Sequence, residues 1–354
     1  MQKITPATPR KHPLSFSDGN LAILTYDQYF LVHQGFLRRH SSVLDAEIKM
    51  VLNQSQTSLE GLPVLDVQED PNDIYHFLLA LYDGISDLKY DRDSFDIVAS
   101  LLRLSTRFQV VHLRKELLRG LSAMWPNSLS NWDIREVNAT NDFGIYEPRA
   151  SIPHPITVIN LARRVDAPEI LPSAFYDLSR CSSARVAQGH MCTLTQELHQ
   201  LSQDDLLSLL KGREHASRFL STFLVHYVEG MAPSAACIYR RQTDITRRRP
   251  CQSAFEGITF ALLRDSNDVL GQRSSDPLFI LMDAELMLTR YDGERNLRPC
   301  EFCREEFGAL LDSAREEFWR QIPQFFAFLD GSNHFEFDGE GGNSVIAHME
   351  HVDR

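Results

Sequence analysis

The sequence predicts an α+β fold: a small sheet with surrounding helices at the N-terminus, followed by a mainly α-helical region. Three observations carry this expectation. Leu21–Leu24 and Tyr29–Val32 are short apolar runs on either side of a polar link, which is how a tight antiparallel hairpin is written. Three segments with apolar residues at helical spacing follow between Asp70 and Met124. Beyond Pro155 the same helical periodicity returns, and no further strand signal accompanies it.

In chain order, residues 1–13 mix Lys, Pro, Thr and Arg with no apolar core, and they read as a flexible N-terminus rather than a signal peptide or anchor. After the hairpin, Leu62–Val67 is a third apolar strand. Asp70-Pro71 then starts a helix for physical reasons. The carboxylate accepts a free backbone N–H, the proline ring presets φ, and Asp73 lies near the positive end of the dipole. Ile74, Phe77, Leu78 and Leu81 form its buried face, and it should stop near Gly84. Phe95–Phe108 and Val110–Met124 are two more core helices, with stripes through Val98, Leu101 and Leu104 and through Leu113, Leu117 and Leu121. His33, at a strand end, is expected to be a hydrogen-bonded structural residue.

This order of elements resembles the BTB/POZ domain. The family pattern runs strand, strand ending in a His-Lys pair, Leu, Ser before a short helix, strand, and a helix finishing in Leu-Tyr. Here it is carried by Leu21–Leu24, Tyr29–Gln34, Leu37, Ser41-Ser42-Val43-Leu44, Leu62–Val67 and Leu81-Tyr82. The sequence departs from the pattern at Asp18-Gly19-Asn20, where the family has an acidic pair, at Gln34 in place of Lys, and at Leu44 in place of an aromatic. The resemblance covers residues 14–125. It implies a non-enzymatic module for self-association or partner recruitment, including recruitment of a cullin-type ubiquitin ligase.

Residues 126–155, with scattered Asn and Ser and with Pro148, Pro153 and Pro155, read as a linker. A helical C-terminal region spans 156–329. Within it Ile156–Val165 and Ile170–Leu178 form a helical hairpin of the kind that extends BTB domains in adaptor proteins. Ser202 caps a further helix, Asp205 is placed for a capping box, and Leu207, Leu210, Leu220 and Phe223 are expected to continue its buried face. Residues 330–354, rich in Gly, Asp, Glu and Asn, read as a flexible tail.

The chain has 36 basic against 48 acidic residues, a net charge of −12, which opposes whole-chain attraction to nucleic acid or an anionic membrane. No apolar run approaches bilayer length. The expected location is cytoplasmic, nuclear or both, a reducing setting in which the six cysteines are not a disulfide framework.

Cys300-Glu301-Phe302-Cys303 is the spacing with metal-site chemistry, because two thiolates so placed can occupy adjacent corners of a tetrahedron around Zn²⁺. Cys237 and Cys251 supply a second pair, and Pro299 is a turn former directly before Cys300. The candidate metal ligands are therefore Cys237, Cys251, Cys300 and Cys303, with structural zinc as the cofactor. Against this stand four buried packing cysteines, a rival cluster of Cys181, Cys192 and His190, and a redox role for the CxxC, which no thioredoxin-like βαβ context supports. The cysteine set, with Ala314–Trp319 and Ile322–Phe326 after it, resembles the C-terminal part of BTB proteins common in mushroom-forming fungi.

No GxSxG, HExxH, GxGxxG after a strand, or P-loop occurs, so no enzyme activity is expected. The adjacent carboxylates Glu305-Glu306 and Glu316-Glu317 read as solvent-facing charge. Arg240-Arg241 with Arg247-Arg248-Arg249 reads as a solvated loop. The alternative is a nuclear regulator that uses these arginines for weak DNA contact, and a salt-dependent gel shift separates the two.

Overall fold

The computed structural model describes residues 9–54, 58–141, 146–192, 196–242, 250–266, 276–287 and 299–326. The expected hairpin is present. Strands β2 (Leu21–Leu24) and β3 (Gln28–Val32) pair antiparallel from Leu21 opposite Val32 to Leu24 opposite Tyr29. The turn is closed by the Thr25 amide and hydroxyl, which both donate to the Gln28 carbonyl, at 2.8 and 2.9 Å.

Strand β5 (Leu62–Asp66) lies parallel to β2, so the chain must cross over the sheet between them. Helices α1 (Gln34–His40) and α2 (Ser42–Gln54) provide that crossover. Two-residue strands finish the edges, β1 (Arg10–Lys11) beside β3 and β4 (Ser58–Leu59) beside β5, giving the order β1-β3-β2-β5-β4. The sheet mixes parallel and antiparallel pairs and precedes the helices, so the mixed α and β character expected from sequence is present. Alternation sends Leu21, Ile23, Phe30 and Val32 into the main core, and Ala22, Tyr29, Leu31 and Val64 onto the other face.

Helix α3 (Pro71–Tyr82) starts as its sequence requires: the Asp70 carboxylate accepts the Asn72 N–H at 2.8 Å, and Pro71 opens the first turn. It buries Ile74, Phe77, Leu78 and Leu81, and the chain leaves it through Gly84 at φ +86°, a conformation that favours glycine. Helices α4 (Phe95–Arg107) and α5 (Val111–Met124) bury the leucine stripes read from sequence. His33 joins the Tyr82 hydroxyl to Asp18, at 3.1 and 3.2 Å, a structural role.

Residues 126–155 carry more structure than a linker composition suggests. Helix α6 (Leu129–Asn138) forms there, and its Trp132, with Ile152, lies in the main core. Helices α7 (Pro155–Arg164) and α8 (Leu171–Ser179) pack as the expected hairpin. A short helix α9 (Ser183–Gln188) and a two-stranded ribbon, β6 (His190–Met191) with β7 (Leu198–His199), follow. The ribbon was not legible as strands, because two residues per strand are too few for a period to show.

Helix α10 (Gln203–Phe223) runs into a π-helical turn, Leu224–Val228. Its buried face is Leu209, Ala216, Leu220 and Phe223, whereas Leu207 and Leu210 are each 52% exposed, which corrects the expected burial of those two leucines. Asp205 accounts for the rotation. Ser202 caps the helix as expected, its hydroxyl accepting the Asp205 N–H at 3.1 Å and donating to the Asp205 carboxylate at 2.9 Å, and that buried carboxylate also pairs with Arg163 at 2.8 Å.

Helices α11 (Pro250–Ser266), α12 (Pro277–Met287) and α13 (Glu301–Phe325) complete the described fold. Besides the small cluster on the outer face of the sheet, two larger apolar cores result among the described residues. The main core runs from the sheet through α3 to α8 and ends on Phe318, Ile322, Phe325 and Phe326. The second gathers Leu220, Phe223 and Val228 with Phe255, Leu262, Leu281, Phe307, Leu311 and the four candidate cysteines. Helices α10 and α13 belong to both and splice them together. Among the described residues no helix is long and apolar enough to cross a membrane.

Gly212 on α10 lies where the Phe326 ring presses against the helix, and a Cβ there would overlap the ring. Gly212→Ala is therefore expected to destabilise by about 1–2 kcal/mol in urea melts, overpacking outweighing the gain in helix propensity.

Candidate metal centre

The four cysteines arrive on three segments, each shaped by its own local chemistry. Ser234, buried after the π-helical turn, closes a small turn in which its hydroxyl accepts the Ala236 N–H at 3.0 Å and its carbonyl accepts the Cys237 N–H at 3.0 Å. Cys251 sits in the first turn of α11, behind Pro250. Cys300 is the N-cap of α13 and Cys303 lies in its first turn, so the CxxC spans a helix start with its unpaired backbone N–H groups.

All four side chains are buried, and their sulfurs all lie within 4.8 Å of one another. Cys237 Sγ is 3.7 Å from Cys251 Sγ and 3.8 Å from Cys300 Sγ. Four thiolates each about 2.3 Å from a common Zn²⁺ stand about 3.8 Å apart along the edges of the tetrahedron. Two of the sulfur–sulfur distances match that edge and the others lie within 4.8 Å, so the donor set fits a metal ion.

Backbone N–H groups point at these sulfurs, as expected around a charged centre. Ser234 N–H donates to Cys303 Sγ at 3.3 Å, and Cys300 N–H donates to Cys251 Sγ at 3.2 Å. Burial opposes charge on Cys300, but the N–H groups of Cys303 and Ile238, with the Cys303 and Cys237 thiols, outweigh it and bring this thiol down to about 7. Burial pushes Cys251 up to about 11 and Cys303 further still. A divalent ion is what stabilises four thiolates side by side.

Around the ligands, the Ser234 hydroxyl donates to the Glu306 carboxylate, tying the Cys237 turn to α13, and the rings of Phe255 and Phe307 meet at a tilt in the same core, with centroids 5.4 Å apart. Glu306 therefore has a partner that its exposed helical position did not foretell. Glu317, of the other acidic pair, holds Arg320 and Gln321.

The rival cluster does not assemble. Cys192 lies beside Asp96, at 3.8 Å, and His190 stacks on His154, at 4.2 Å. Among the described residues the four-cysteine group is the one set of three or more potential ligands drawn together. Arg240 and Arg241 are exposed or turn residues beside Cys237; Arg247–Arg249 and the predicted tail, 330–354, lie outside the described residues.

A second polar constellation went unread in the sequence. Asp177, Glu136 and Asp276 interlock with Arg135, Arg149 and Arg180 between α6, α8 and the start of α12. Burial alone would raise the Asp177 carboxyl, but the guanidiniums of Arg149, Arg135 and Arg180 hold it far below the usual carboxylate range. Three acids meet three bases, so the group is balanced and structural. The available signal was Asp177 and Arg180 on the otherwise apolar α8 segment.

His154 caps α7, its Nδ1 accepting the Ile156 N–H at 3.3 Å. Burial, then His190 and Arg149, lower its pKa from 6.5 to about 3. The unfolded chain therefore binds a proton that the native state refuses, so stability falls as pH drops below 6.5. At pH 5 the expected cost is about 2 kcal/mol. His154→Asn, which keeps a capping side chain, should flatten the acid limb of Tm against pH by up to about one proton.

The sequence matches no protein-family model and no curated protein.

Proposed function

We propose that this chain is a non-enzymatic protein-interaction module, in which residues 14–125 form a BTB-like unit for self-association or partner recruitment and the C-terminal helices present that unit on a zinc-pinned support. The observation that carries the reading is the order of elements around the sheet. Strand, strand, the helix after Ser41, strand and the helix ending in Leu81-Tyr82 follow one another in the order of the BTB pattern, with a parallel third strand and α4 and α5 in addition to it. A cullin-type ubiquitin ligase is the leading partner class by that resemblance, and the expected location is the cytoplasm, the nucleus or both.

Zinc is the metal this reading assigns to Cys237, Cys251, Cys300 and Cys303. It is redox-inert, accepts tetrahedral thiolate coordination and leaves no open position in such a site, so its contribution is folding energy rather than chemistry. Elemental analysis of the full chain should find about one zinc per molecule.

Light scattering on the full chain, with capture by purified cullin N-terminal domains, tests the interaction reading. A dimer, or a stoichiometric cullin complex, supports it. A strict monomer that captures no cullin sinks it.

A further inference from the structure

We propose that the four-cysteine centre is an oxidant-sensitive site whose reaction with a hydroperoxide releases the metal and uncouples α13 from α11. The inference rests on the zinc reading above and concerns how that site is regulated.

The argument begins with what the metal joins. Cys237 and Cys251 lie on the turn after α10 and on α11, whereas Cys300 and Cys303 both lie at the start of α13. A metal bound to all four is a cross-link between these segments at the edge of the second core. The same sulfurs, oxidised in pairs, need not preserve that link. Cys300 and Cys303 are on one helical turn, the Cys-X-X-Cys spacing at which disulfides form. Cys237 and Cys251 are 14 residues apart with sulfurs already at 3.7 Å. The crossed pairs are separated by far more chain, 63 residues for Cys237 with Cys300 and 49 for Cys251 with Cys300. Once the metal no longer holds the segments together, loop closure favours the near pairs. Two local disulfides then replace one central cross-link.

The chemistry balances with a hydroperoxide as the only co-reactant. In each pair one thiolate attacks the peroxide O–O bond, becoming a sulfenic acid and releasing hydroxide; the second thiolate attacks that sulfur, forms the S–S bond and expels a second hydroxide. Each disulfide takes two electrons from sulfur, and two protons convert the hydroxides to water. Two hydrogen peroxide molecules consume all four thiolates, and the divalent ion, left without ligands, departs.

The fold gives this release a consequence. Phe307 on α13 contacts Phe255 on α11, with ring centroids 5.4 Å apart, and Phe307 and Leu311 share the second core with the four cysteines, with Leu262 on α11 and with Leu281 on α12. The main core keeps α13 anchored through Phe318, Ile322 and Phe325. Oxidation is thus expected to loosen the first half of α13 and leave the second half docked.

The test uses the full zinc-loaded chain carrying Cys192→Ser, which removes an unrelated thiol. Hydrogen peroxide is added, free zinc is followed with a chromogenic chelator, disulfides are mapped by mass spectrometry without reduction, and hydrogen exchange is compared before and after. The expected result is loss of essentially all bound zinc, Cys237–Cys251 and Cys300–Cys303 disulfides, and loss of protection in residues 251–262 and 301–311 but not in 318–325. Dithiothreitol with added zinc should restore protection. Retention of zinc under peroxide, or crossed disulfides with protection unchanged, overturns the switch while leaving the zinc site standing. A full chain that neither contains nor takes up zinc overturns both.

Discussion

Cys303→Ser is expected to bring zinc to background and to unfold the second core while the main core stays folded. The free energy of structural zinc bound to thiolates is on the order of 10 kcal/mol, comparable with the whole stability of an ordinary domain. The second core is small, and its four ligands replace apolar side chains at its edge. Helix α11 thus has little else to hold it once the metal is gone, whereas α12 is also tied to the main core through Leu278 and the Asp276–Arg180 pair. Thermal melts with and without an excess of chelator check this. The wild-type chain should show one late transition that splits into two on chelation, and Cys303→Ser should show two from the start. Cys192→Ser, outside the cluster, should behave as wild type. If Cys303→Ser instead costs about 1–2 kcal/mol in a single transition and chelator has no effect, the cysteines are packing residues.

Arg180→Met should cost about 3–5 kcal/mol in urea melts, the range for breaking a buried ion pair by removing one partner. Arg180 pairs with Glu136, Asp177 and Asp276, at 2.7, 2.8 and 2.8 Å, and with the Tyr146 hydroxyl at 2.8 Å. Deleting it leaves three acids against two bases in a site that water barely reaches. The guanidinium also lies 4.9 Å from the Trp132 ring centroid, so part of the loss is stacking. Arg180→Lys should recover little, because an ammonium keeps the charge but cannot reach three carboxylates with one planar fork. A loss below about 1 kcal/mol for Arg180→Met would mean that the acids find other partners and that the network is not a keystone.

Some features were legible because they are written locally. The hairpin at Leu21–Val32 rests on neighbouring residues, as does the start of α3 at Asp70-Pro71, and both formed where the pattern placed them. Alternation and helical spacing likewise identified the buried faces of α3, α4 and α5. The same reasoning failed on α10. Leu207 and Leu210 fit an apolar stripe, but the inward face was decided by Asp205 meeting Arg163, a residue 42 positions earlier in the chain.

For the candidate centre the division is similar. The sequence alone determined that Cys300 and Cys303 can bind on one side of an ion, since their spacing on a helix start is a local property. It also identified Cys237 and Cys251 as the other candidates, but not that their sulfurs meet the CxxC. That was decided by tertiary structure, which folds the turn after α10 and the start of α11 onto α13 and brings together sulfurs as far apart in the chain as those of Cys237 and Cys303. The Ser234 to Glu306 bond and the six-residue charge network arise in the same way. Capping and periodicity act over a turn or two of chain, whereas convergence of distant polar groups is fixed only when apolar packing has chosen which helices touch.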